Sequence, residues 1–145
     1  MPEKPMLALR LLDPPQRLLT GHRHPLSALL HNTTGERWSA TCASRFTGLL
    51  LQDGPHGPAA NPPGWQTLTG LQFDLDAGEH VELPGDVETR GPYQGDSAPL
   101  LPRGWYWLVV HFNIHLEHAD GRGQPVLISS PATPLQVVTH RPPTL

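Results

Sequence analysis

Lysine and cysteine are almost missing from these 145 residues: Lys4 and Cys42 are the sole examples of each. A single cysteine excludes an internal disulfide framework. Basic residues number 10 against 13 acidic ones, the formal charge is −3, and nothing forms a basic stripe, so no nucleic-acid partner is expected. Long apolar runs are absent too. The N-terminal stretch MPEKPMLALRLLDPP is interrupted by Arg10 and has no small-residue cleavage site, which reads as neither a membrane span nor a secretory leader. The cytoplasm is the expected compartment, with no membrane contact.

Catalytic signatures are lacking as well. There is no Gly-x-Ser-x-Gly, phosphate loop or dinucleotide fingerprint. Cys42 has no surrounding signature of a nucleophile and reads as a small packed residue. Asp74 and Asp76 alternate with Phe73 and Leu75, the ordinary solvated face of a strand. These absences point away from an enzyme, and no cofactor is expected.

Proline (18) and glycine (14) are abundant, which suits short strands joined by turns more than helices. No convincing 3.6-residue apolar stripe appears. The most informative segment is Gly104 to Leu116, GWYWLVVHFNIHL. Its even positions are all apolar, while its odd positions begin aromatic and turn polar, the period of a half-buried strand. So long a strand is expected at the centre of a sheet, launched by Leu101-Pro102-Arg103-Gly104 and ended by an Ala119-Asp120-Gly121 hairpin turn. Further strands are expected at Met6 to Leu12, Leu26 to His31, Phe46 to Gln52, Leu71 to Leu75, around Val81 and Leu83, Val126 to Ile128, and Leu135 to Val138. Pro131 and Pro134 make the last pair an edge or sheet-switching segment. Seven to eight strands in one domain over residues 1–145 predict an all-β, antiparallel immunoglobulin-like β-sandwich. Its long loops, 53–64 and 84–104, are candidates for binding, with Tyr93 in the middle of the second.

The order of turns carries a resemblance. Asn32-Thr33-Thr34-Gly35-Glu36, the Asp53-Gly54 turn, Trp65, the Phe73 strand, the Leu75-x-x-Gly78-Glu79 corner and Leu101-Pro102-x-Gly104-x-Tyr106 follow one another. In this order they resemble the bacterial immunoglobulin-like domains that include the intracellular proteinase inhibitor family. The likeness covers about Leu26 to Val138. It implies a sandwich that binds a protein, in that family a protease. Thr33-Thr34-Gly35-x-x-Trp38 is similar to the loop that chagasin-type cysteine-protease inhibitors wedge into a protease cleft. Here no Pro stands between Asn32 and Thr33, and the family's other two loop motifs are not evident.

Two further groups are singled out. His22 and His24 share a face if extended, as do His115 and Glu117 on the long strand. Were the fold to unite these half-sites, they would ligate zinc or copper, the alternative to a binding module. Trp105 and Trp107 lie opposite the apolar even face, so they are either covered or an exposed contact surface for a partner or a second copy of the chain. The sequence thus predicts a non-enzymatic protein-binding module of the proteinase-inhibitor kind. Its contacts are expected at Asn32, Thr33, Thr34, Gly35, Trp38, Tyr93, Trp105 and Trp107.

Overall fold

The computed structural model describes residues 7–62, 70–92, 97–118 and 120–139. Among these, ten strands are present: β1 Leu7–Leu12, β2 Arg17–Leu19, β3 Arg23–Asn32, β4 Trp38–Cys42, β5 Phe46–Leu51, β6 Leu71–Leu75, β7 His80–Glu88, β8 Gly104–Glu117, β9 Gly123–Ser129 and β10 Thr133–Val138. The described residues contain no helix long and apolar enough to cross a membrane.

The long strand is central, as its alternation predicts. Every even position of β8 from Tyr106 to Leu116 is buried, while Trp105, His111, Asn113 and Glu117 face solvent. Its first half pairs with β5 and β10, and its second half with β4 and β9. One strand therefore serves two ladders in succession. A second ladder joins β3 to β7, with β1 on the far side of β3. The link between the two systems is β5. It runs parallel to β7 over Phe46↔Gly85 and Thr47↔Asp86, then leaves to pair with β8 from Gly48 to Leu51. The result is a curled all-β sheet around one core. Leu30, Phe46, Leu50, Val87, Leu108, Phe112 and Ile114 all belong to the same buried cluster. The Phe46 and Phe112 rings meet edge to face at 6.3 Å.

Three expectations need correction. There are ten strands among the described residues rather than seven to eight. β2 has only three residues, too few to show alternation, and the inward side chains of β4 are the small Ala40 and Cys42. The pairing is mixed rather than purely antiparallel, since β10 with β2 and β5 with β7 are parallel. Finally, of the last pair only β9 is an edge, since it pairs with β8 alone, whereas β10 lies between β8 and β2. Pro134 is tolerated there because β2 meets only Gln136 to Val138, so no partner on that side asks Pro134 for an N–H.

The two long loops are more tied down than their composition suggests. Pro84 to Glu88 is the second half of β7, not loop. The stem of the following excursion is closed by Arg90↔Leu100 and by the Leu101 N–H on the Thr89 carbonyl, 3.1 Å. Tyr93 lies outside the described residues. The first loop doubles back along β5: Gln52 N–H bonds the Pro58 carbonyl at 2.9 Å and Ala60 N–H the Leu50 carbonyl at 2.7 Å. Asn61 then fills the gap that opens where β5 departs from β7. Its Oδ1 accepts the Leu50 N–H (2.7 Å), and its Nδ2 donates to the Gly48 (3.3 Å) and Glu88 (2.9 Å) carbonyls.

Candidate functional site

Asn32 ends β3 with no exposed surface at all. A buried amide must satisfy its donors and acceptor, and this one does so by shaping the next loop. Its Nδ2 donates to the carbonyls of Glu36 (2.8 Å), Asp76 (3.1 Å) and Leu75 (3.2 Å). Its Oδ1 accepts both the backbone N–H (3.0 Å) and the hydroxyl (2.7 Å) of Thr34. This is the turn chemistry for which Asn and Thr are suited. The Thr34 oxygen in turn accepts the indole N–H of Trp38 at 3.1 Å and the Glu36 N–H at 3.2 Å. Thr33, Gly35, Glu36 and Arg37 are left projecting into solvent, and Trp38 is half-buried where β4 begins. The sequence-predicted set Asn32, Thr33, Thr34, Gly35 and Trp38 is thus one connected unit.

The hairpin between β8 and β9 supplies the opposite wall. His118 N–H bonds the Arg122 carbonyl at 2.7 Å, and Gly121 takes a φ of 89°, the left-handed region that favours glycine. The His118 ring stands edge-on to Trp38 with centroids 5.1 Å apart. Its Nε2 is 3.4 Å from Glu36 Oε2; its Nδ1 is 3.5 Å from Asp120 Oδ1 and makes no hydrogen bond. Asp120 is held below the usual carboxylate range, chiefly by the backbone N–H of Arg122. Between the walls lies a cleft of about 570 Å³ lined by Glu36, Trp38, His118, Arg122, Gly123 and Gln124. Beside Glu36, the Arg37 guanidinium reaches Asp74 (2.8 Å) and Asp76 (3.5 Å). The Asp74 carboxyl is lowered first by the Ser39 hydroxyl and then by Arg37.

Sequence reasoning reached Trp38 and the loop but missed Glu36, His118 and Arg122. The available signal was the Asp120-Gly121 turn, which places the residues flanking it at a hairpin tip. What could not be read was that this tip returns to the 33–37 loop.

The remaining expected sites lie elsewhere. Trp105 and Trp107 sit at the other end of β8. Trp105 is 71% exposed, whereas Trp107 is half-buried, with Leu51 and Pro134 across from it on the two neighbouring strands. Val109 on the same side is buried, so the open apolar surface there narrows to Trp105. The Tyr106 hydroxyl donates to the Pro102 carbonyl at 2.7 Å.

The four proposed metal ligands do not converge. His22 donates its N–H to Thr89 Oγ1 (3.1 Å) and His24 Nε2 lies 3.0 Å from the Leu19 carbonyl. Thr89 also holds Leu101, which puts this pair beside the entry to β8. His115 and Glu117 are in the last turn of pairing of the same strand, opposite Pro125 and Gly123 of β9. Extended chain rises about 3.3 Å per residue, so most of the length of β8 separates the two half-sites. Among the described residues no group of three or more His, Cys, Asp or Glu is placed to hold a metal. Cys42 is wholly buried and burial pushes its thiol up to about 11, far from the thiolate a nucleophile requires.

No family model matches the chain, and no curated protein matches it. Among solved structures, it is similar to a β-glucosidase from Listeria innocua in complex with gluconolactone (11% identity, TM-score 0.42, over 90% of this chain). The chain spans only 16% of that enzyme's length. It is similar also to an ASH / PapD-like domain of human CEP192 (9% identity, TM-score 0.35, 96% of this chain and 92% of that one). A third is the CooA pilin subunit from enterotoxigenic Escherichia coli (14% identity, TM-score 0.34, 92% and 99%). None of these likenesses bears on activity.

Proposed function

We propose that this chain is a non-enzymatic, protein-binding module of the immunoglobulin-like sandwich type. Its 33–37 loop enters the partner, and a protease is the first partner class to test. The observation that carries the reading is the Asn32–Thr34–Trp38 network. It fixes an exposed loop from beneath, so little conformational freedom is lost on binding, and such preorganisation favours affinity. The Trp38 ring and the cleft behind the loop offer a half-open aromatic surface of the kind that anchors contacts. The sandwich type is supported by Tyr106, near the start of a long strand, whose hydroxyl returns to the backbone four residues upstream, as in the tyrosine corner of immunoglobulin-like folds.

Inhibition assays against papain-like and subtilisin-like proteases test this reading. The expected result is inhibition by the wild-type protein in at least one class. A Thr33→Glu, Gly35→Glu double variant, altered only at exposed loop positions, should inhibit at least about tenfold more weakly, as loss of central contacts does. Absence of inhibition in both classes, or cleavage of the chain within the loop, overturns the protease reading.

Trp105 supports a second contact. Its exposure leaves room for the twofold association that the long strand suggests, in which the same patch meets itself. Light scattering should find a dimer for the wild type and a monomer for Trp105→Ser. A monomeric wild type at high concentration rules the contact out. Trp105→Ser should leave stability within about 0.5 kcal/mol, as exposed substitutions do.

A further inference from the structure

Trp105 is the most exposed large apolar side chain among the described residues, and its surroundings are polar. A groove of about 430 Å³ opens at this end of β8, lined by Gln52, Asp53, Arg103, Gly104, Trp105 and Tyr106. Strand pairing builds it. β5 follows β8 as far as Leu51↔Trp107, so the chain leaving β5 carries Gln52 and Asp53 toward Tyr106 and Trp105. At Asp53 the backbone turns away with a φ of 63°. Asp is one of the few side chains that accept this left-handed conformation, so a carboxylate stands at the corner where glycine would be usual.

The groove therefore combines three kinds of surface. Asp53 brings a carboxylate that only accepts hydrogen bonds, and Arg103 a guanidinium that only donates them. Among the described residues neither has a hydrogen bond or ion pair, and they do not pair with each other. The third surface is the flat indole of Trp105. Trp107 beyond it is half-buried and Val109 buried, so the apolar platform is one ring wide.

These surfaces select a ligand class. One positive and one negative side chain leave the groove without net charge, and the chain's formal charge of −3 opposes anionic ligands. A matching ligand is neutral, has one small flat apolar face, and carries both donors and acceptors around its rim. A pyranose ring with equatorial hydroxyls meets all three demands. Its axial C–H bonds form an apolar face whose slightly positive hydrogens meet the negative face of the indole. Its hydroxyls both donate and accept, and hydrogen bonds to ionised partners are the stronger ones.

We propose that this groove is a binding site for a neutral hexopyranose with equatorial hydroxyls, stacked on Trp105 and held at its rim by Asp53 and Arg103. The site is at the opposite end of β8 from the 33–37 loop and does not depend on the partner proposed there. It shares Trp105 with the twofold contact, so a sugar and a second copy of the chain compete for one ring.

NMR titration of the full chain with cellotetraose and, separately, with chitotriose tests the site and distinguishes plain from N-acetylated sugars. The indole N–H signal of Trp105, assigned by its absence in Trp105→Ala, should shift with at least one of them at millimolar concentration, while that of Trp38 stays in place. Trp105→Ala should bind at least about tenfold more weakly, and Trp105→Tyr, which keeps a flat aromatic face, within about fivefold of wild type. Arg103→Ala and Asp53→Asn should each weaken binding about threefold or more, the worth of one hydrogen bond. In the wild type, saturation transferred from protein to sugar should be strongest at the axial ring protons of one face. A Trp105 signal unmoved by both sugars overturns the proposal, as does unchanged affinity in Trp105→Ala, or an equal shift with the acyclic polyol mannitol. If a substitution unfolds the chain, the saturation pattern decides, and uniform transfer to all ring protons rejects the site. Light scattering separates the two uses of Trp105: the sugar should dissociate a dimer held by this ring, whereas a dimer that persists with the Trp105 signal unmoved rejects the sugar site and leaves the contact standing.

Discussion

Asn61→Ala should lower the free energy of unfolding by about 3–5 kcal/mol, among the largest effects of any polar substitution here. Asn61 is fully buried and stands where β5 turns from its short parallel contact with β7 toward β8. At that fork neither strand satisfies the other. The side chain supplies the missing partner three times over, to Leu50 N–H, Gly48 carbonyl and Glu88 carbonyl. Alanine removes all three bonds and leaves three buried backbone groups unmet, each worth about 1–3 kcal/mol before any water enters. Asn61→Asp should be equally harmful: it keeps the acceptor for Leu50 but loses both donors and buries a charge. Urea unfolding of the three proteins checks this, with the midpoint falling and the slope unchanged. A loss below about 1 kcal/mol for Asn61→Ala would mean that the loop does not join the two ladders.

The role of Asn61 marks the boundary of what the sequence discloses. The residue lies in Asp-Gly-Pro-His-Gly-Pro-Ala-Ala-Asn-Pro-Pro-Gly, a composition that reads as loose surface loop. Local patterning cannot show that one amide in it completes a sheet. By contrast, β8 and β6 were legible because each alternates apolar and polar residues with period 2, and β1 and β5 because each is a short apolar run bounded by turn residues. β2 and β4 escaped because three residues, or inward Ala and Cys, carry too little hydrophobic contrast. The same limit governs the candidate site. Asn-Thr-Thr-Gly followed by Trp was visible as a turn with a nearby aromatic ring, since Asn and Thr shape their own backbone locally. His118 and Arg122 join Trp38 only because β4 and β9 flank the same end of β8, and strand order is a property of the whole chain. For the same reason the two histidine half-sites looked compatible in sequence, yet His22 and His24 lie beside the entry to β8 while His115 and Glu117 lie at its far end. Asp53 and Trp105 are separated by 51 intervening residues of sequence and line one groove only through the register of β5 on β8.

The register of β5 on β7 sets the second large effect, Gly85→Ala, expected to cost about 3 kcal/mol. Gly85 faces the Phe46 ring across the β5–β7 contact. A Cβ at this position would lie 2.4–2.5 Å from three atoms of the ring, Cδ1, Cγ and Cδ2. The backbone itself offers no objection, for Gly85 is not among the residues of positive φ. The whole penalty is therefore steric. Phe46 has nowhere to retreat: it is 1% exposed and its ring already meets Phe112 edge to face. Moving it strains a close-packed core, while leaving it in place forces β7 away from the two-residue contact that links the ladders. Trimming the ring should relieve the clash. In the double variant Gly85→Ala, Phe46→Leu, the combined loss should fall short of the sum of the single losses by about 1–2 kcal/mol, the signature of residues in direct contact. Thermal and urea unfolding of the four proteins measure that difference. Strict additivity would show that the Phe46 ring is not what excludes a side chain at position 85, and that the Gly85 site is closed by β3 through Leu26 on its other flank.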